Sequence, residues 1–218
     1  MLDGARSVRG DEVGSVDLIE GYAVQHGIPV SKYDLSIQFR TSGSESYINW
    51  VDSVLGLNKS SSMVWKTENE YGVKVFDRVE GMEEALRAKV ALGASARIIA
   101  GFCWPWSDPV KDRALQAWPD PRGDYSLYPD VTIGSWARPW NRKPRDMWKV
   151  KGSAEPPDRH PYTIWASEPE GFDQIGCIYS AQGFEFDYVG VIIGSDLRWS
   201  PVGKYWTVDL RANKDVGF

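Results

Sequence analysis

The chain has 218 residues, a formal net charge of −5, 42% hydrophobic residues and 25% charged residues, values typical of a soluble globular domain with a buried core. No apolar run is long enough to cross a bilayer, the first residues lack the pattern of a signal peptide, and the two histidines without a paired cysteine motif exclude an obvious metal site. Cys103 and Cys177 lie in apolar runs and are predicted to be free thiols in a reducing cytoplasm.

Three segments have the apolar spacing of amphipathic helices: residues 15–26, 44–55 and 81–92. Gly27 and Gly56 follow the first two helices, as glycines at helix ends commonly do. Strands are predicted at residues 33–39, 73–76, 96–102, 174–179 and 188–193. The alternation of strands with helices predicts an α/β fold, with a largely parallel sheet flanked by helices.

Residues 104–171 have no clear periodicity and are rich in Trp, Pro, Asp and Arg. A connection of this length is too long for an ordinary loop, so we predict a long Trp-rich insertion at about 104–171. The chain has eleven tryptophans, which are compatible with a sugar-binding groove, a single-strand nucleic-acid channel or a protein core.

Residues 175–196, IGCIYSAQGFEFDYVGVIIGSD, are predicted to form a strand, a polar turn and a second strand. Ser180, Gln182, Gly183 and Glu185 in the turn could reach a ligand, and glycine would allow the backbone to approach it closely. The alternative is an ordinary turn between two strands.

The stretch YSAQGFEFD at residues 179–187 resembles motif V of superfamily 1 helicases. Residues 35–40 (LSIQFR) resemble a helicase Gln-x-x-Arg motif, and two further matches are AGFCWPW at 100–106 and PWN at 139–141. In their order along the chain, 35–40, 100–106, 139–141 and 179–187, the four segments resemble Schlafen-type DNA/RNA helicase domains. The resemblance implies a RecA-like second lobe.

The resemblance also implies roles for individual residues. Arg40 would contact the γ-phosphate of ATP, with Gln38 beside it, because a guanidinium group is a planar, permanently charged donor to phosphate. Gly183 and Glu185 would contact the nucleotide, and Ser180 and Gln182 would contact the nucleic-acid backbone; whether Asp187 is functional or structural is left open. ATP and Mg²⁺ are expected in the complete enzyme, with neither held by this chain alone.

The chain departs from the helicase pattern at several places. No Gly-x-x-x-x-Gly-Lys-Ser/Thr loop occurs, Gly4 and Arg6 stand where an acid and a Gln are expected, and no arginine-bearing motif VI follows motif V. We therefore expect residues 1–34 to be a remnant of the first lobe and residues 35–218 to form the second lobe. The expected partners are single-stranded DNA or RNA and a separate N-terminal helicase lobe, and this chain alone is not expected to hydrolyse ATP.

A basic and aromatic segment at residues 136–151 is a second candidate for nucleic-acid binding, through Trp136, Arg142 and Lys143. Alternatively, Trp140 and Trp148 anchor the insertion to the core. Two other functions stay open: a nucleic-acid-binding module without catalysis, and a carbohydrate-binding protein with a tryptophan-lined groove.

Overall fold

The computed structural model describes residues 16–32, 45–57, 71–107, 128–141 and 165–215. The helices are α1 (Val16–Gln25), α2 (Glu45–Leu55), α3 (Val79–Ala91) and α4 (Ile178–Ala181), with short 3₁₀-helices at Pro169–Asp173 and Leu210–Ala212. The strands are β1 (Ala96–Ala100), β2 (Val131–Ile133), β3 (Trp136–Arg138), β4 (Ile175–Gly176), β5 (Tyr188–Ile192), β6 (Leu197–Ser200) and β7 (Tyr205–Val208). Within these ranges, none of the helices has the length and apolar character that a membrane span requires.

The three long helices lie where their apolar spacing predicted them. Gly27 and Gly56 follow α1 and α2 with φ angles of 63° and 73°, a conformation that glycine adopts at little cost. The strand predicted at residues 33–39 lies outside the described residues. The strand predicted at residues 73–76 is wrong: this segment pairs with no described strand, and Val75 is 87% exposed.

A three-stranded parallel sheet, ordered β4-β1-β5, is the centre of the fold. Ile98 of β1 pairs with Ile175 on one side and with Gly190 on the other, so β1 has a neighbour along each edge. With its flanking helices, this sheet confirms the predicted α/β class and is consistent with a RecA-like lobe.

One face of the sheet packs against α3. A Cβ atom on Gly190 would lie 2.7 Å from Cδ1 of Leu86 and 3.0 Å from Sδ of Met82, so only glycine allows the helix to lie this close to β5. The core that forms on this face contains Leu86, Ala96, Ile98, Ala100, Val131, Trp136, Trp140, Phe172, Ile175, Cys177 and Ile192.

The described part of the predicted insertion contains a two-stranded antiparallel hairpin, β2–β3. Val131 and Trp140 from this region are 0% and 1% exposed, and both belong to the core. The alternative prediction that Trp140 anchors the insertion is therefore confirmed, whereas Trp148 lies outside the described residues. A three-residue strand is too short to give a recognisable alternation, which is why the hairpin was not predicted.

A buried carboxylate joins α3 to this hairpin. Glu83 is 5% exposed and accepts hydrogen bonds from Nε1 of Trp136 at 2.5 Å and from Nη2 of Arg138 at 2.7 Å. Arg87 donates to the same carboxylate at 2.5 Å and to Asp173 at 2.6 Å, so the network also reaches the 3₁₀-helix before β4. Burial by itself would raise the pKa of Glu83, but the hydrogen bonds from Trp136, Arg138 and Arg87 hold it below its usual value.

The strand predicted at residues 174–179 is shorter than expected, because β4 ends at Gly176 and α4 begins two residues later. A second hairpin, β6–β7, was not predicted. Cys103 and Cys177 are free thiols, as predicted.

Candidate functional site

The motif V segment forms the crossover between two parallel strands of the sheet. From the carboxyl end of β4 the chain forms α4, continues through residues 182–187 and enters β5, whose first residue pairs with the first residue of β1. Ligands of open α/β sheets commonly bind outside the carboxyl ends of the strands, and the crossover begins at that end of β4. The crossover is therefore the part of the fold in which the predicted site residues lie.

Ser180 anchors the first end of the crossover. Its hydroxyl accepts a hydrogen bond from the backbone N–H of Cys177 at 2.8 Å and lies 3.1 Å from Oδ1 of Asn141, which is 1% exposed. Asn141 is in turn held by a backbone hydrogen bond to Ile175. The Ser180 side chain thus has a structural role and faces the interior, which argues against its predicted contact with the nucleic-acid backbone.

Asp187 anchors the second end of the crossover. Its carboxylate accepts hydrogen bonds from the backbone N–H and the hydroxyl of Ser95, at 2.7 and 2.8 Å. Both hydrogen bonds favour the charged form and lower the pKa of Asp187. Asp187 therefore has a structural contact, since it attaches the crossover to the residue that precedes β1.

Arg97 supports the crossover from the sheet. The side chain is 6% exposed and donates to the backbone carbonyls of Trp165, Ala96 and Glu168 at 2.9, 2.6 and 2.6 Å. Its guanidinium carbon lies 5.8 Å from the ring centre of Phe186. Burial lowers the pKa of Arg97, and carbonyl dipoles with aromatic faces supply the compensation that a buried cation needs.

Trp165 completes the support on this face. A Cβ atom on Gly176 would overlap the indole of Trp165, so glycine in β4 lets the ring pack directly against the strand. The edge of the indole meets Phe186 with a centroid distance of 6.1 Å. Phe186 therefore packs against both the buried cation and the indole.

Between these anchors, Gln182, Gly183 and Glu185 are exposed. Gly183 has a φ angle of 91°, and a Cβ atom at this position would have no atom within 4 Å. Glycine is therefore required by the backbone conformation and not by crowding. Of the four polar residues predicted to reach a ligand, the structure presents these three to solvent and turns Ser180 inward.

The charge of residues 182–187 limits what they can bind. Glu185 and Asp187 are both acidic and the segment has no cation, so it is poorly suited to attract phosphate groups. The amide of Gln182, the backbone of Gly183 and the carboxylate of Glu185 suit neutral donors and acceptors, such as ribose hydroxyls and base edges. Phosphate contacts must come from other residues.

Trp136 does not have the surface position predicted for it. Its indole is 5% exposed and donates to Glu83, so its ring has no free face on which a base could stack. The structure thus gives Trp136 a core role in place of the predicted nucleic-acid contact. In the sequence, Trp136 and the basic residues near it have the pattern of a nucleic-acid-binding surface. The buried partner of its N–H, Glu83, is 53 positions away and so does not appear in that local pattern.

The other predicted site residues, Arg40, Gln38, Arg142 and Lys143, lie outside the described residues. Their proposed contacts with ATP and nucleic acid stay predictions.

Aromatic side chains line the carboxyl end of the sheet. Phe102, which follows β1, lies 5.5 Å from Trp140 and 6.2 Å from Tyr179, measured between ring centroids, and Trp106 stacks on Trp140 at 5.5 Å. Tyr179 is 39% exposed, whereas Trp140 is buried. The cluster thus lies at the edge of the core, and one of its rings, Tyr179 of α4, reaches the surface.

A thiol and a carboxylate meet at the same end of the sheet. Burial and the neighbouring carboxylate of Asp196 raise the pKa of the Cys103 thiol, which favours its protonated and less reactive form. A Cβ atom on Gly194 would overlap the Cys103 side chain, so close packing explains this glycine.

Several residues important to the site were not identified from the sequence. Ser95 and Arg97 hold the crossover, yet neither has a local pattern that distinguishes it from other polar residues. The β6–β7 hairpin did have a signal: apolar and aromatic residues alternate at 197–200 and 205–208, and the short segment between them contains Pro201 and Gly203.

Comparisons with known proteins agree with the motif pattern. A family model described as Schlafen group 3, DNA/RNA helicase domain, matches residues 1–217. The chain is also similar to the uncharacterized protein YPL245W of Saccharomyces cerevisiae, with 24% identity over 180 residues that cover 77% of this chain and 33% of the yeast protein. The chain therefore spans about a third of the length of this relative. No solved structure matches the chain.

Proposed function

Because the chain belongs to the Schlafen group 3 DNA/RNA helicase domain family, we propose that it supplies nucleic-acid and nucleotide contacts to an ATP-dependent helicase or translocase. The observation that supports this proposal is the crossover at residues 177–187. It is attached at both ends by buried or hydrogen-bonded side chains and presents Gln182, Gly183 and Glu185 to solvent between them.

A fixed turn is useful to such an enzyme because contacts made from a rigid element change only when the whole lobe moves. Ser180 and Phe186 restrict the two sides of the turn, so Gln182 and Glu185 keep a nearly constant position relative to the sheet. In a two-lobed enzyme, movement of the lobe would then be transmitted directly to the bound strand or nucleotide.

Each exposed group has a different contribution in this proposal. The amide of Gln182 donates to ribose or base oxygens of the strand, the exposed Gly183 offers backbone groups without a side chain, and the carboxylate of Glu185 accepts hydrogen bonds from ribose hydroxyls. ATP and Mg²⁺ would supply the phosphoryl-transfer chemistry in the complete enzyme, with phosphate charge balanced by cations such as Arg40 and by a partner lobe. The free thiols of Cys103 and Cys177 fit a reducing cytoplasm.

A nucleic-acid-binding module without catalysis is a second candidate. The chain has no Gly-x-x-x-x-Gly-Lys-Ser/Thr sequence, which is the phosphate-binding loop of this class of ATPases. The two candidates share the strand-binding surface and differ in whether nucleotide changes its affinity.

The proposed function is tested by binding of the purified chain to a fluorescein-labelled single strand of about 15 nucleotides, measured by anisotropy from about 50 to about 300 mM salt. Salt-dependent binding is expected, and the Gln182→Ala variant should bind more weakly at every salt concentration. Glu185→Gln should bind the strand at least as well as the unmodified chain, because the substitution removes a negative charge from the turn. Absence of binding at the lowest salt concentration would contradict the proposal for this chain.

Repeating the titration with ATP and Mg²⁺, in the presence of a separately purified N-terminal lobe of a family member, distinguishes the two candidates. A change in strand affinity supports the helicase or translocase. An unchanged affinity supports the module without catalysis.

A further inference from the structure

The β6–β7 hairpin, residues 197–208, is a platform with two different faces. Cross-strand partners in an antiparallel pair point to the same side, so the register places Leu197, Trp199, Trp206 and Val208 on one face. Arg198, Ser200, Tyr205 and Thr207 lie on the other face, which we call the outer face.

One residue of the first face, Trp206, attaches the hairpin to the rest of the fold, whereas Trp199 and Val208 on the same face are 39% and 66% exposed. Nε1 of Trp206 donates to the backbone carbonyl of Val54 in α2 at 2.6 Å, and the rings of Trp199 and Trp206 meet edge to face at 5.4 Å. The base of the hairpin is also fixed: the backbone N–H of Asp209 donates to the carbonyl of Asp196 at 2.8 Å. The hairpin therefore has a defined orientation.

The outer face carries Arg198 and an exposed ring, and Lys204 lies in the turn at the tip of the hairpin. Arg198 and Lys204 are exposed, and within the part of the chain that the structure describes neither forms a salt bridge with a carboxylate. Tyr205 is 57% exposed and its ring covers Gly203, where a Cβ atom would overlap it. Residues 197–208 contain two cations and no acidic residue, although the whole chain has a net charge of −5.

Lys204 occupies an unusual backbone position. Its φ angle is 53°, and it is the one residue other than glycine with a positive φ among the described residues. Glycine adopts this conformation more easily, so lysine at the turn costs some stability. The cation at the tip of the hairpin is thus not explained by the needs of the turn.

We infer that the outer face and the tip of the β6–β7 hairpin bind single-stranded nucleic acid, with Arg198 on the face and Lys204 at the tip contacting phosphates and Tyr205 stacking on a base. This inference rests on the proposed function and identifies where its phosphate contacts lie. The acidic crossover cannot supply them, whereas the hairpin combines positive charge with an exposed aromatic ring, as single-strand binding surfaces do.

The first test removes the two cations. Arg198→Ala/Lys204→Gly eliminates both charges, and glycine suits the φ angle at position 204, so the turn should keep its conformation. Arg78→Ala/Lys89→Ser removes the same charge from the N-cap and the last turn of α3 and is the matched control. For a single strand, loss of two phosphate contacts should decrease the slope of log affinity against log salt by about 1.4, while the control should leave the slope unchanged.

The second test concerns the ring. Tyr205→Leu should weaken binding by about 5- to 150-fold, the range expected when one stacking contact is lost, whereas Tyr205→Phe should bind nearly as well as the unmodified chain. Photo-cross-linking with an oligonucleotide containing 5-iodouracil, followed by peptide mass spectrometry, should place a cross-link within residues 197–208. Circular dichroism on each variant confirms that it is folded.

The outcomes separate the inference from the proposed function. If the unmodified chain binds the strand and the hairpin variants match their controls, the hairpin inference is overturned and the proposed function survives. Strand binding that depends on Gln182 but produces no cross-link within residues 197–208 would likewise overturn the hairpin inference and leave the proposed function standing. If the unmodified chain binds no strand at low salt, both proposals fail together.

Discussion

Replacing Glu83 with glutamine should destabilise the fold more than any other single isosteric change in α3. The carboxylate is 5% exposed and is the common acceptor for Trp136, Arg138 and Arg87. Glutamine keeps the size of the side chain but removes its charge and replaces one acceptor oxygen with an NH₂ group. That group would face donors, so at least one hydrogen bond is lost and two guanidinium groups lose their shared anion.

The magnitude follows from the exposure of the partners. Removing one member of a fully buried ion pair costs about 3–5 kcal/mol. The side chains of Arg87 and Arg138 are 46% and 31% exposed, so water can partly replace the lost interaction. We therefore expect Glu83→Gln to lower the free energy of unfolding by about 2–3 kcal/mol. With a urea m-value of about 2 kcal/mol per M, the unfolding midpoint should decrease by about 1–1.5 M.

The effect should depend on pH with a definite sign. Because the pKa of Glu83 is lowered in the folded protein, its contribution is complete above the ordinary carboxyl pKa of about 4.3 and is lost as the pH falls through the lower folded value. The difference in unfolding free energy between the unmodified chain and Glu83→Gln should therefore be constant near neutral pH and decrease in acid.

Urea unfolding followed by far-ultraviolet circular dichroism at pH 7 and at acidic pH measures both effects. Glu84→Gln is the control, because Glu84 lies on the same helical turn and is exposed. Equal midpoints for Glu83→Gln and Glu84→Gln would refute the argument that the carboxylate stabilises the contact between α3 and β3. A deficit that persists unchanged in acid would show that lost packing, and not lost charge, is its cause.

Three further predictions test the site and the core. Ser180→Ala should lower the free energy of unfolding by about 1–2 kcal/mol in urea titrations, because it removes the hydroxyl that accepts from the backbone N–H of Cys177. Its affinity for a single strand should stay the same. Weaker strand binding by the folded variant would restore the predicted contact with the nucleic-acid backbone. Gln182→Ala should show the opposite pattern: the free energy of unfolding should change by at most about 0.5 kcal/mol, and strand binding in the anisotropy titration should be weaker. A loss of stability similar to that of Ser180→Ala would contradict the exposed position of Gln182. Gly190→Ala should lower the free energy of unfolding by about 1–3 kcal/mol, measured by thermal or urea unfolding, because the added methyl group would lie 2.7 Å from Leu86. A variant as stable as the unmodified chain would mean that α3 can move away from the sheet at little cost.

Local patterns in the sequence were sufficient to predict the three long helices, strands β1 and β5 and the α/β class. The reason is that a helix or a buried strand can be recognised from about ten consecutive residues, by the period of its apolar side chains and by the glycines that end it. The resemblance of residues 179–187 to a helicase motif was also identifiable from the sequence. The family that this resemblance indicated is confirmed by the match over residues 1–217.

The tertiary structure decided which side chains of these segments are available to a ligand. In the motif, Ser180 faces Asn141, which is 39 positions away, and Asp187 faces Ser95, which is 92 positions away, so only the residues between them are left for binding. Trp136 was expected at the surface and instead meets Glu83 across 53 positions. Such hydrogen bonds join segments that are distant in the sequence, and the residues near either partner have no pattern that indicates them. The burial and the hydrogen-bond partners of these side chains could therefore be learned only from the folded chain.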